Sequence, residues 1–234
     1  MAMKHCIIFD FDGTLYPIID FDSEQLLVHT LAQEKDEEFR REAMRFIADD
    51  QAGCFSFEDF HLRYEEMIRG STAAQVEQVA RHLASLLSSE DRAALVALKE
   101  QSGADFVIFT CGTENLAEAF LSHLGIRGLF ESIRGKRLNF DERERTTLSV
   151  DIHTPEAKRS ALEALRPVYR TIVAVGDGPT DIPMLEAADL GLIMKWNTGT
   201  APYPFETHHS LPALCARIAG YLLSAEEAWE TATR

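Results

Sequence analysis

Four short runs of the chain, CIIFD at 6–10, DFVIFT at 105–110, TIVAVGD at 171–177 and LGLIM at 190–194, are β-rich and apolar almost from end to end. A strand with one wet face alternates polar and apolar residues, whereas a strand covered on both faces does not, so these runs predict a parallel sheet with helices on either side. The stretches between them agree. Ser88 and Ser89 suit the cap of a helix that runs through EDRAALVALKEQ to Gly103, and TENLAEAFLSHLG reads as another that stops at Gly125. Strands alternating with helices give an α/β chain.

The stretch from Tyr16 to Ser89 departs from this rhythm, because it holds no strand-like run. Leu27, Leu31, Phe39, Ala43, Phe46 and Ile47 recur at helical spacing, as do Phe60, Tyr64 and Ile68, and then Val76, Val79, Leu83 and Leu87. An all-helical insert placed directly after the first strand lies over that strand's carboxyl end, where open α/β sheets bind ligands, and reads as a lid. The expected division is a sheet core of residues 1–15 and 90–234 and a helical cap of residues 16–89. FESIRGKRLNF, beginning at Phe130, alternates like a hairpin or an edge strand and is unusually basic.

Composition narrows the partners. The chain of 234 residues has a formal net charge of −15, which argues against nucleic acid and against an anionic membrane, since both are held by clustered Lys and Arg. The ERERTT run at 142–147 mixes signs and reads as solvated surface. No apolar run approaches the roughly 20 residues of a membrane span, and MAMKHC lacks the basic start and long apolar stretch of an export signal. Cys6, Cys54, Cys111 and Cys215 are too widely spaced for a disulfide framework or a CxxC metal site, and suit a cytoplasmic protein.

The ends of the predicted strands carry the chemistry. The first ends on Asp10, with Asp12 two residues on; the second on Thr110, then Cys111 and Gly112; the third on Asp177, with Asp181 following in GDGPTD. In a parallel sheet these ends share one edge, so four carboxylates and a hydroxyl converge on one crevice. They cannot all stay ionised there unless a cation offsets them. All-oxygen ligands point to a hard ion, Mg²⁺ being the usual one beside a phosphate, with Asp10 and Asp177 its first ligands. Lys158 supplies a second positive group: Thr154 suits a helix cap, Pro155 the first position, and the lysine falls in the first turn, where it opposes the helix dipole. Taken singly, DFDGT reads equally well as a turn, GDGPTD as a helix cap and Lys158 as a surface lysine. Their ordered coincidence at successive strand ends does not.

In motif order and strand context the chain resembles the haloacid dehalogenase superfamily: DFDGT at 10–14, VIFT ending on Thr110, Lys158, and VGDGPTD with Asp177 and Asp181. The resemblance implies a Rossmann-like core with a helical cap, loosely like the phosphoserine phosphatase branch. It implies that Asp10 is a nucleophile that forms an aspartyl-phosphate and that Asp12 is the general acid and base. Thr110, the N–H groups of Cys111 and Gly112, and Lys158 would hold the phosphate. Mg²⁺ would be held by Asp10, the carbonyl of Asp12 and Asp177, with Asp181 binding directly or through water. An acid placed like Asp12 serves an ester with a poor alkoxide leaving group and not a carbon–halogen bond, which favours a phosphatase of a small phosphorylated metabolite. A phosphotransferase would use the same residues, and a non-catalytic phospholigand-binding protein would not need Asp12.

Recognition of the leaving part falls by position to Tyr16, Asp20, Phe21, Asp22 and Tyr64. The glutamate of the phosphoserine branch has Asp20, Asp22 and Glu24 as imperfect counterparts. The histidines show no metal spacing and receive no role. In the last helix, Leu211, Leu214, Ile218, Leu222 and Trp229 suit packing on the core or on a second copy in a homodimer.

Overall fold

The first apolar run becomes the central strand. The structure, a computed structural model, describes residues 4–140, 146–199 and 201–232. Strand β1 (Lys4–Phe9) lies between β2 (Asp105–Thr113) and β5 (Tyr169–Gly176), parallel to both. Beyond β2 come β3 (Phe130–Phe140), parallel, and β4 (Thr146–Val150), antiparallel; beyond β5 come β6 (Leu190–Met194) and β7 (Glu206–His208), both parallel. The order is β4-β3-β2-β1-β5-β6-β7. The strand order therefore turns back at β1, and the crevice at its carboxyl end is the topological switch point of the sheet.

The all-apolar runs have the reason expected of them. Ile7 and Phe9 of β1 belong to one buried cluster, Cys6 and Ile8 to the cluster on the opposite face, and all four are fully buried. Helix α7 (Pro155–Glu163) and helix α8 (Ile182–Ala187) cover the second face. The first face is covered by α5 (Ser89–Ser102), α6 (Glu114–His123) and α9 (Leu211–Ala232). Ser88 caps α5 by accepting from the Asp91 N–H at 3.1 Å, and Gly103 ends it in the left-handed conformation at φ 59°.

Between β1 and α5 run four helices and no strand: α1 (Ser23–Gln33), α2 (Glu37–Gln51), α3 (Phe57–Met67) and α4 (Ala73–Ala84). Each starts on a side-chain cap, Asp22, Asp36, Ser56 and Thr72 in turn. Their apolar stripes do not form a separate core. Leu27, Leu31, Phe46, Tyr64, Val79 and Leu83 join the same cluster as Phe9 and Phe106 of the sheet, with α4 packed on α6.

The basic segment is a buried-to-edge hairpin: it forms β3, and β4 is the edge. Its cations have separate partners, Arg134 with Asp151, Arg137 with Glu114 and Lys136 with Glu24. Residues 142–145 of the mixed-charge run lie outside the described residues. No helix among the described residues is long and apolar enough to cross a membrane.

In α9, Leu211, Leu214, Ile218 and Leu222 are buried in the core of this same chain, while Trp229 lies beneath the Arg170 guanidinium at 4.3 Å. Truncating a buried aliphatic costs about 2–5 kcal/mol and truncating an exposed one less than about 0.5 kcal/mol. Ile218→Ala should therefore lower stability in urea denaturation by that larger amount, and Leu223→Ala, at a position 56% exposed, should barely move it. Equal effects would mean that the helix buries its face elsewhere.

Candidate active site

Three strand ends and one helix start deliver the polar residues to a single crevice. Asp10 follows β1, and its N–H donates to Val175 O at 2.9 Å, which extends the ladder by one residue and fixes the side chain at the sheet edge. The chain must then leave sharply. Gly13 does so at φ 72°, and a Cβ there would lie 2.3 Å from Asp177 Oδ2, so both the conformation and the approach of Asp177 require glycine. Thr154 accepts from the Ala157 N–H at 3.2 Å and starts α7, Pro155 takes the first position, and Lys158 points from the first turn into the crevice.

The ammonium of Lys158 lies 2.6 Å from Asp10 Oδ1 and 2.6 Å from Asp181 Oδ1, with all three side chains buried. The second oxygen of Asp181 accepts from the N–H groups of Asp177 at 3.0 Å and Gly178 at 3.2 Å. Both oxygens of Asp181 are thus engaged, one by Lys158 and one by the loop that presents Asp177. One carboxylate oxygen each from Asp10, Asp177 and Asp181 fall within 4.8 Å of one another. One lysine does not balance three acids.

Burial pushes the Asp10 carboxyl well above the usual range, against the pull of Lys158. Burial and the charge of Asp181 push Asp177 up to about 7. Burial alone would lower Lys158, but Asp10 and Asp181 outweigh it and hold the lysine well above its ordinary value. A cluster of hard oxygen donors with excess negative charge is what a divalent cation such as Mg²⁺ takes.

Asp12 is oriented by three donors. Tyr16 OH and the Ser23 N–H, the latter at 2.7 Å, donate to Oδ1, and Ser23 Oγ donates to Oδ2 at 3.1 Å. Gly112 makes room, since a Cβ there would lie 2.9 Å from Asp12 Oδ2. The same glycine departs from the expectation for the phosphate loop: its N–H donates to Thr110 Oγ1 at 2.8 Å, in the irregular last residues of β2 where the pairing with β3 shifts register. Cys111 is a thiol, pushed up to about 11 by burial.

Asp10, Asp12, Thr110, Cys111, Gly112, Lys158 and Asp177 all border one cavity of about 260 Å³. Asp181 does not border it and stands behind Lys158. Of the side chains expected by position to meet the leaving part, Asp22 borders the cavity. Tyr16 and Tyr64 are fully buried behind the wall, Tyr16 packed on Phe11 and Phe120 and Tyr64 stacked on Phe60; Phe21 stacks on His29, and Asp20 is exposed. Glu24, one of the counterparts of the phosphoserine-branch glutamate, also borders the cavity, and the structure adds Asp50, Phe55, Phe57, Phe60 and Lys136 on that side, together with His61 and His153, whose rings lie 6.2 Å apart. A basic residue in a strand-like run was the one visible signal for Lys136.

The sequence profile described as haloacid dehalogenase-like hydrolase matches residues 7–186. No curated protein matches. Among solved structures, a hydrolase of that family from Salmonella enterica serovar Typhi is 18% identical, with a TM-score of 0.67 over 91% of this chain and 71% of its own. A phosphoserine phosphatase from T. onnurineus is 22% identical, with a TM-score of 0.65 over 93% and 95%. A phosphoserine phosphohydrolase-like protein from Francisella tularensis is 21% identical, with a TM-score of 0.66 over 92% and 100%. At these identities the likeness shows a shared fold.

Removing one partner of a buried ion pair leaves an uncompensated charge and costs about 3–5 kcal/mol. Lys158→Met, which strands Asp10 and Asp181, should lower stability by that amount in urea denaturation without metal. An unchanged midpoint would contradict the geometry described.

Proposed function

The chain belongs to the haloacid dehalogenase-like hydrolases, and from that premise we propose that it is a Mg²⁺-dependent phosphatase of small phosphomonoesters. The observation that carries this reading is the row Asp12, Asp10, Lys158 opening on one cavity, with Asp177 beside it. Asp10 attacks phosphorus, the bond to the ester oxygen breaks, and the aspartyl-phosphate forms. Asp12, steadied by Tyr16 and Ser23, gives its proton to the departing alkoxide. Asp12 then takes a proton from a water that attacks the phosphorus, the bond from phosphorus to the Asp10 oxygen breaks, and Asp10 returns as a carboxylate with phosphate released.

Lys158 holds one oxygen of Asp10 in place and offsets charge on the transferring group. Thr110 and the Cys111 N–H face the phosphoryl oxygens. Mg²⁺, held by Asp10, the carbonyl of Asp12 and Asp177 with Asp181 behind them, would supply the remaining positive charge. Residues 16–89 act as the cap: Ile18, Asp22, Asp50, Phe57 and His61 from that segment roof the leaving-group side. A cavity of about 260 Å³ suits a small metabolite and not a phosphoprotein.

Asp12→Asn separates the two half-reactions. A nitrophenolate leaves without a proton, so this variant should release about one equivalent of it per enzyme in a burst and then stall, whereas on an alkyl phosphate turnover should fall about 10²–10⁴-fold with no burst. EDTA should stop both in the wild type. Stopped-flow absorbance and phosphate release measure these, and an equal loss on both esters with no burst would contradict the role given to Asp12.

A further inference from the structure

Besides Lys158, the lysine that borders the cavity is Lys136, and its setting is unusual. It sits on β3 in register with Thr113 at the end of β2, so the sheet fixes it beside Thr110–Gly112, the last residues of that strand. The residue is 2% exposed. Its ammonium donates to Glu24 Oε2 at 2.6 Å, and the other oxygen of Glu24 accepts from Thr113 Oγ1 at 2.5 Å. Tyr64 OH lies 3.2 Å from that same hydroxyl, and the Phe60 and Tyr64 rings lie 4.7 and 5.1 Å from the ammonium.

The two members of the pair differ in what they have left to give. Glu24 has both oxygens engaged by the protein. An ammonium has three donors, of which Glu24 takes one, and the aromatic faces offset charge without accepting in-line hydrogen bonds. A buried donor left without an acceptor is costly, and a pair that served only to tie α1 to the sheet would gain nothing from bordering a cavity.

We infer that Lys136, with Glu24 as its positioning residue, anchors the leaving portion of the substrate, which is therefore a phosphomonoester of an alcohol that carries a further oxygen acceptor, a hydroxyl or a carboxylate. This rests on the phosphatase reading of the same cavity. Asp22 and Asp50 face the cavity as well, and the hydroxyl and carboxylate arms of the test show how far they oppose a second anion.

The test is calorimetric binding of ethyl phosphate, 2-hydroxyethyl phosphate and phosphoglycolate, with Mg²⁺, to Asp10→Asn protein, where esters bind without turnover. A hydrogen bond to a charged donor predicts that one of the oxygen-bearing esters binds roughly tenfold or more tightly than ethyl phosphate. Adding Glu24→Gln and Lys136→Met, which keeps the volume and leaves no buried charge, should collapse that preference to within about twofold. No preference in the parent, no binding of any ester, or a preference that survives in the folded triple variant overturns the inference. If the triple variant does not fold, Lys136→Arg decides, since it keeps the charge opposite Glu24 but moves the donors, and an unchanged preference there overturns it. Hydrolysis by the wild type is scored separately: turnover without preference sinks this inference alone, and preference without turnover sinks the phosphatase reading alone.

Discussion

The structure depends on one lysine held between two buried carboxylates. Lys158 binds Asp10 and Asp181 at 2.6 Å each, and Asp181 in turn receives the two N–H groups of the loop that carries Asp177. Through this chain the end of β1, the loop after β5 and the first turn of α7 are held at mutual distances that none of them sets alone. The arrangement is also electrostatically incomplete. Three acids share one cation in a buried crevice, and the burial that raises Asp10 and Asp177 is the same cost that a bound divalent ion would relieve.

What was legible in the sequence was whatever a local signal carries. Apolar runs without alternation marked the strands buried on both faces, and the polar residue that ends each run marked the crevice, because parallel strands share one edge. Thr154 and Pro155 placed Lys158 in a first turn, and the structure brings it to Asp10 across 148 residues. The helical content of residues 16–89 was legible in the same way, from the spacing of apolar residues. That these helices share one hydrophobic cluster with the sheet was not, since an amphipathic stripe does not say what it is packed against.

The leaving-group side shows why the rest was hidden. Glu24 and Lys136 meet across 112 residues; Glu24 is one of three imperfect counterparts of the phosphoserine-branch glutamate and Lys136 matches no motif, and only the register of β3 against β2 puts the lysine beside the end of β2. Tyr16 looked like a recognition residue because it follows the DFDGT turn, yet the rings of Phe11 and Phe120 draw it into the core, where its hydroxyl serves Asp12. The Gly112 N–H is taken by Thr110 because the irregular end of β2, where its register against β3 shifts, brings a threonine hydroxyl within reach of the amide two residues on. Charge partners and inward turns of this kind are set by tertiary packing, and sequence spacing does not encode them.

The central claim is that Asp10 carries the phosphoryl group between the two half-reactions. The direct measurement is acid quenching of the enzyme during steady-state turnover of a phosphomonoester, followed by peptide mass spectrometry of the trapped protein. The account predicts an acid-stable, hydroxylamine-labile phosphoryl group on the peptide that contains Asp10, absent when Asp10→Asn is treated in the same way. Turnover with no trapped phosphoryl group under any quench interval, or a phosphoryl group on another residue, would contradict it.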